Sequence, residues 1–170
     1  VGQVVQVEAI VTQTLPGLRG YTIQAPLAEQ DNDPATSEGV FVYVNSTDIT
    51  VSEGQRVRLL ATVAEFNGHT QLSNVAASLD CGSSIMPEAT PVALPVSSLA
   101  QLEAVEGMLV SFAQQLTVND TSTLGRYGEL TLANGTTSFC SYATIHPESV
   151  DALFSAARNT GQRIWAGKTC

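Results

Sequence analysis

The chain has 170 residues and carries 16 acidic against 7 basic side chains, a net charge of −9. That balance, with Lys168 the single lysine, argues against tight binding to a phosphate backbone, where affinity comes from Lys and Arg neutralising phosphates. A hydrophobic fraction of 44% is enough for a folded core and excludes a disordered tail, while no apolar run approaches the ~18 residues that membrane insertion needs.

Residues 1–13 alternate, with Val1, Val5, Val7, Ala9 and Val11 on one parity and Gln6, Glu8 and Thr12 on the other, which predicts a half-buried strand. Pro16 and Gly17 mark a loop, and 21–24 is a second short strand. An acidic loop at 29–34 leads to a third strand at 40–44, rich in β-branched and aromatic residues. Glu53-Gly54 is a turn before a long strand at 56–66, with Val57, Leu59, Ala61 and Val63 on one face. Asn67-Gly68 between two apolar runs signals a two-residue hairpin, because a type I′ turn needs positive φ at both positions. The return strand is expected at 70–78.

Pro87, Pro91 and Pro95 mark a linker. Ser98 and Gln101 have capping-box spacing, so a short helix is expected to about Ala104. Strands follow at 107–118 and 127–132, with a turn at 119–123. Pro147 suits the first turn of a helix, and Val150, Leu153, Phe154 and Ala157 form one apolar stripe behind it. Gly161 ends that helix, and 163–166 reads as a final strand.

Five strands with a long fourth and fifth joined by a tight hairpin match the strand count of an OB-fold, a small Greek-key barrel. Leu18-Arg19-Gly20-Tyr21-Thr22-Ile23 is echoed by Leu124-Gly125-Arg126-Tyr127-Gly128-Glu129-Leu130, which suggests a second, incomplete OB-like copy. The expected organisation is all-β: an OB-fold barrel at 1–84, a Pro-rich linker at 85–97, and a second OB-like β module at 98–170 with a helix near 147–160.

Cys81, Cys140 and Cys170 form no C-x-x-C pair, so a zinc site is not indicated. The odd count allows one disulfide and one free thiol. Cys140 with Cys170 brackets the C-terminal helical segment; Cys81 with Cys140 is the rival, and three reduced thiols the remaining alternative. Sequons begin at Asn45, Asn119 and Asn134. Together with the single lysine and the Ser, Thr and Gln content they point to a secreted or cell-surface protein. Val1 in place of Met reads as a processed or truncated chain.

Several groups are candidates for chemistry. Asp31, Asp33 and Glu38 form the densest acidic cluster, and oxygen ligands one residue apart suit Ca²⁺. The pattern lacks the glycine and distal Glu of a full Ca²⁺ loop, so a solvated turn set by Pro34 is the reading taken, and no cofactor is required. His69 and His146 pair with no nucleophile, and both read as surface loop residues. For nucleic acid, the strands offer Arg19, Arg56, Arg58 and Arg126 with Tyr21, Phe41, Tyr43 and Phe66. Arg56 and Arg58 share one strand face. Arg56, Arg58, Arg19 and Tyr21 are the contact candidates, against the alternative that the Arg pair with Glu and the aromatics fill the barrel.

The residues also carry a resemblance. It lies in Val7-Glu8-Ala9-Ile10-Val11-Thr12, Asp33-Pro34-Ala35-Thr36-Ser37-Glu38-Gly39-Val40-Phe41-Val42, Gly54-Gln55-Arg56-Val57-Arg58, Glu65-Phe66-Asn67-Gly68 and Gly125-Arg126-Tyr127-Gly128-Glu129. Across about residues 4–132 the chain resembles the OB-fold region of secreted bacterial nucleases, which precedes an endonuclease/exonuclease/phosphatase-type catalytic domain. The tail from Ser138 departs from that pattern. The resemblance implies an extracellular, non-catalytic module. It carries over no active-site residue; a full-length relative would be a metal-dependent nuclease.

Two functions are therefore expected. The first is protein–protein or self-assembly with copies of itself or another extracellular protein. There an open sheet edge would take a strand from a neighbour, supplied by the alternating segment with Val5, Val7 and Val11. The second is an accessory domain that presents nucleic acid to a nuclease domain.

Overall fold

Strands β1 (Val4–Leu15), β2 (Gly20–Gln24), β3 (Gly39–Tyr43), β4 (Gln55–Phe66) and β5 (His69–Ser83) close into a barrel in the order β1-β2-β3-β5-β4. The computed structural model describes residues 1–31 and 33–127, and the backbone of three further strands at 131–134, 138–143 and 163–168. The long β1 serves two neighbours. Val4 to Ile10 pair with β4, and Ile10 to Leu15 pair with β2. All barrel pairs are antiparallel except β3 with β5, which meet in parallel at Phe41↔Gln71 and Val42↔Leu72. The protein is a mostly β chain with an OB-like five-stranded barrel.

Strand alternation fills this barrel. Ala9 and Val11 of β1, Tyr21 and Ile23 of β2, Val42 of β3, Val57, Leu59 and Ala61 of β4 and Leu72 of β5 form the buried cluster. Val5, Val7 and Val63 pack against its edge. On the other parity of β1 and β2, the cross-strand partners Ile10 and Gln24 are also buried. Gln24 Oε1 there accepts the Leu109 amide at 2.9 Å.

The hairpin between β4 and β5 has the turn its sequence demands: Asn67 has φ 53° and Gly68 φ 87°. β5 runs to Ser83, beyond the expected end at Ser78, because its register with β4 shifts between Thr62↔Ser73 and Leu60↔Ala77. Asn74, at φ 48°, lies inside that bulge, and beyond it β5 continues along the first half of β4.

The proline-marked segment contains β6 (Thr90–Val92), which pairs in parallel with β7 (Val110–Phe112). Helix α1 (Ala100–Glu103) follows, but its cap is displaced by one residue from the expected box. Leu99 is the N-cap, and Gln101 Oε1 accepts the Ser97 amide at 2.7 Å. The strand expected over 107–118 is broken into β7 and β8 (Leu116–Asp120). Of the strand expected at 127–132, Tyr127 ends a helical turn α2 (Leu124–Tyr127), Thr131 and Leu132 open β9 (Thr131–Asn134), and 128–130 lie outside the described residues. The Thr123 carbonyl accepts both the Arg126 and Tyr127 amides and winds the chain into that turn. Within the echo between 18–23 and 124–130, Tyr21 lies in β2 whereas its counterpart Tyr127 ends the helical turn, and 128–130 lie outside the described residues. Strands β10 (Ser138–Ala143) and β11 (Arg163–Lys168) pair in parallel.

By its internal contacts the chain divides into two compact units, Val1–Gln114 with Val118–Thr131, and Gln115–Thr117 with Leu132–Cys170. The segment 85–97 lies within the first. The helix expected near 147–160 and Cys170 lie outside the described residues, as do the side chains of Cys140 and Asn134. Among the described residues no helix is long and apolar enough to cross a membrane.

Candidate binding groove

Inward residues of β2 and β3 fill the barrel, so their neighbours in sequence face out. Thr22 and Phe41 are cross-strand partners, and Phe41 pairs onward with Gln71 of β5, so the three share the outer face. Tyr43, two residues from Phe41, joins them. A groove of about 620 Å³ lies over this face. The β4–β5 hairpin forms one wall with Phe66, Asn67, His69 and Thr70, while Leu15 and Leu18 close the end at the β1–β2 loop. Glu106 and Gly107 form the remaining wall.

Two close approaches shape the groove. A Cβ on Gly20 would collide with the Phe41 ring and the Val42 carbonyl, so the missing side chain at Gly20 is what lets Phe41 lie across β2. A Cβ on Gly39 would come within 2.6 Å of the Gly107 carbonyl, and Gly107 itself has φ 71°. This contact seats 106–107 against the start of β3, where the Ser37 hydroxyl donates to the Glu106 carbonyl at 2.6 Å. The Glu106 side chain then reaches the hairpin, its Oε1 lying 2.8 Å from His69 Nδ1. At the rim, Asn45 Oδ1 accepts from Tyr43 Oη at 2.8 Å and from Arg19 Nη1 at 3.1 Å.

The structure sorts the residues singled out from sequence. Arg19 stands beside the groove through Asn45, whereas Arg56 and Arg58 lie on the outer face of β4, opposite β1. There Glu8 takes Arg56 Nε at 2.6 Å on one oxygen and Arg58 Nε at 2.6 Å on the other. Arg56 Nη2 also reaches Glu29 at 2.7 Å. Arg58, then Arg56, hold the Glu8 carboxyl below its ordinary range. Both arginines are thus neutralised within the fold. Tyr21 does not face solvent as a contact residue would. It shares the parity of Ile23, is 3% exposed in the core, and burial pushes its phenol up to about 12. The outward aromatics are instead Phe41, Tyr43 and Phe66.

The acidic loop spends its carboxylates on its own backbone. Asp31 Oδ1 accepts the Asp33 amide at 2.7 Å, which holds the Asp31 carboxyl below its usual range. Asp33 Oδ1 accepts the Ala35 amide and Glu38 Oε1 the Asp31 amide. Among the described residues no three His, Cys, Asp or Glu side chains gather as metal ligands. Val5, Val7 and Val11 face the barrel core from a β1 that is paired within its own barrel. Asn45 and Asn119 are exposed, Asn45 at the groove rim and Asn119 in β8. Cys81 is an exposed free thiol and so is not paired with Cys140.

His69, read from the sequence as a surface loop residue, is exposed as expected and also lines the groove. Its signal was local: it directly follows the Asn67-Gly68 turn, and a two-residue turn sends flanking side chains onto the sheet face.

No family model matches the chain. A 37-residue stretch is 54% identical to guanine deaminase of Escherichia coli, covering 22% of this chain and 8% of that protein. Among solved structures, an Ifi202 HINa domain in complex with 20bp dsDNA is 15% identical over 49% of this chain and 41% of that chain, at a TM-score of 0.33. The chain thus spans under a tenth of the deaminase and about two fifths of the HINa chain. Neither match assigns it an activity, and the barrel assignment rests on its own strand order.

Proposed function

We propose that this chain is a non-catalytic binding module of a secreted protein, and that its barrel presents single-stranded nucleic acid to a nuclease domain. The observation that carries the reading is the outward set of Phe41, Tyr43 and Phe66 around the groove over β2, β3 and β5. Each base offers a π-face whatever its identity, and stacking on an aromatic side chain is worth about 1–3 kcal/mol per base. This face, between the β1–β2 loop and the β4–β5 hairpin, is where OB barrels hold oligonucleotides and oligosaccharides. The net charge of −9 predicts modest affinity, because an acidic chain repels phosphates at long range. The resemblance to the OB region of secreted nucleases supports the same role.

The test is titration of a dye-labelled single-stranded oligodeoxynucleotide at low salt, followed by anisotropy. Binding that weakens at least fivefold in Phe41→Ala and in Tyr43→Ala supports the reading. No binding at low salt, or binding that survives both substitutions and depends on Arg56 and Arg58, overturns it.

Assembly by strand addition is a second reading with one observation in its favour. Past Leu72, β5 has β4 on one side and no described strand on the other. Such an edge is a template for another strand. Light scattering decides this reading: a monomer at high concentration ends it.

A further inference from the structure

We propose that His69 is the phosphate-contacting residue of the groove and that Glu106 makes this contact depend on pH. The inference rests on the nucleic-acid reading of the same groove and deepens it. A strand laid across Phe41 and Tyr43 brings phosphates along with its bases, and phosphates need a positive partner. Among the described residues the groove lining contains no Lys or Arg. Arg19, in the rim network, gives one N–H to the neutral amide of Asn45 and keeps its charge, but it is not among the lining residues. Among the described lining residues His69 is the side chain able to take a positive charge, and it is 76% exposed on the hairpin wall.

The geometry fixes which nitrogen faces the ligand. Glu106 Oε1 lies 2.8 Å from Nδ1, so a carboxylate holds the proton on that nitrogen. In the neutral ring Nε2 then carries a lone pair, which repels a phosphate oxygen. Adding a proton puts it on Nε2, which becomes a donor. The same event takes the His69–Glu106 pair from a net charge of −1 to zero, so it removes a repulsion as well as adding a contact. The other ionisable groups facing this site do not replace that function. Glu65, on the same hairpin, accepts the Thr70 hydroxyl at 3.2 Å and is itself an anion. Tyr43 on β3 is a phenol engaged with Asn45. The contact is therefore made when the ring carries both protons and lost when it carries one.

The experiment measures oligodeoxythymidine affinity at pH 6 and pH 8 with a dye insensitive to pH, each over a salt series. Wild type, His69→Gln, Glu106→Gln and Phe41→Ala are compared. Wild-type binding is expected to tighten about two- to fivefold from pH 8 to pH 6, the size of an exposed charge contact. Its log–log salt slope should steepen by about 0.7 at pH 6, the signature of one added phosphate contact on a single strand. His69→Gln should lose both responses, and Glu106→Gln should bind more tightly than wild type at pH 8. Wild-type binding that Phe41→Ala weakens but pH leaves unmoved overturns the role of His69 alone. A pH response that persists in His69→Gln does the same. No wild-type binding at either pH overturns both the inference and the reading beneath it.

Discussion

Phe41 lies across Gly20, its ring occupying the space where any other residue would carry a Cβ. Both belong to the outer face of adjacent strands, and Gly20 is buried beneath the ring. The groove floor therefore depends on an absent side chain. Gly20→Ala must displace the ring or the Val42 strand. Overpacking of this kind costs about 1–3 kcal/mol. A lowered urea midpoint with weakened oligonucleotide binding is the expected result. Unchanged stability and affinity would show that Phe41 has another place to go.

Glu8 links stability to acid. Its carboxyl, held low by Arg58 and then Arg56, has a folded pKa below the unfolded value. The contribution is present above the unfolded pKa and is lost as pH falls through the folded one. Glu8→Gln should therefore narrow the difference in urea midpoint between pH 6 and pH 3 relative to wild type. Because the three groups are partly solvated, each pair contributes little at neutral pH. A variant with the wild-type acid response would show that the arginines are satisfied elsewhere.

What could be read from the residues is what nearby residues decide. Asn67-Gly68 is a complete instruction for a two-residue turn, and both φ values obey it. The alternation of β1 and β4 likewise identified inward faces, since a strand's period does not depend on its partner. Register is different. That Arg56 and Arg58 share a face follows from period alone, but that Glu8 sits opposite Arg58 follows from pairing across 50 residues. The same holds for the aromatics. β3 is apolar on both parities, and only the pairing Tyr21↔Val42 assigns Phe41 and Tyr43 to the outside. The Leu124 turn was missed for a related reason. Gly17 admits the Arg126 carbonyl at close range, a contact over more than 100 residues.

Tyr21 gives an alkaline counterpart to Glu8. Its phenol is raised from an ordinary value near 10 to about 12 by burial in the barrel. The stabilising neutral form is fully present below the unfolded pKa, and its contribution is lost as pH rises through the folded one. Stability should fall between about pH 10 and 12, by about 2–3 kcal/mol for a shift of that size. The loss should be absent in Tyr21→Phe. Ultraviolet titration of wild type against Tyr21→Phe provides the check: the variant should lack a late-ionising phenolate that wild type has. If the two titrations differ by no late-ionising group, the buried placement of Tyr21 is wrong.

Gln24 joins the barrel to the segment that walls the groove. It is 1% exposed, stands opposite Ile10, and accepts the Leu109 amide at 2.9 Å, two residues past Gly107. A polar side chain this deeply buried is tolerated because it is hydrogen-bonded. Gln24→Leu keeps the volume but strands the Leu109 N–H, which costs about 1–3 kcal/mol. Gln24→Ala strands the same donor and opens a cavity, so it should cost more. In both variants the Leu109 amide should exchange with deuterium faster than in wild type, while Val42 and Leu59 in the core keep their protection. Oligonucleotide binding should weaken too, because Glu106 and Gly107 lose the anchor behind them. Equal stability for Gln24→Leu and wild type, with Leu109 exchange unchanged, would mean that the amide is satisfied without Gln24 and that the groove wall stands on the Gly39–Gly107 contact and the Ser37–Glu106 hydrogen bond.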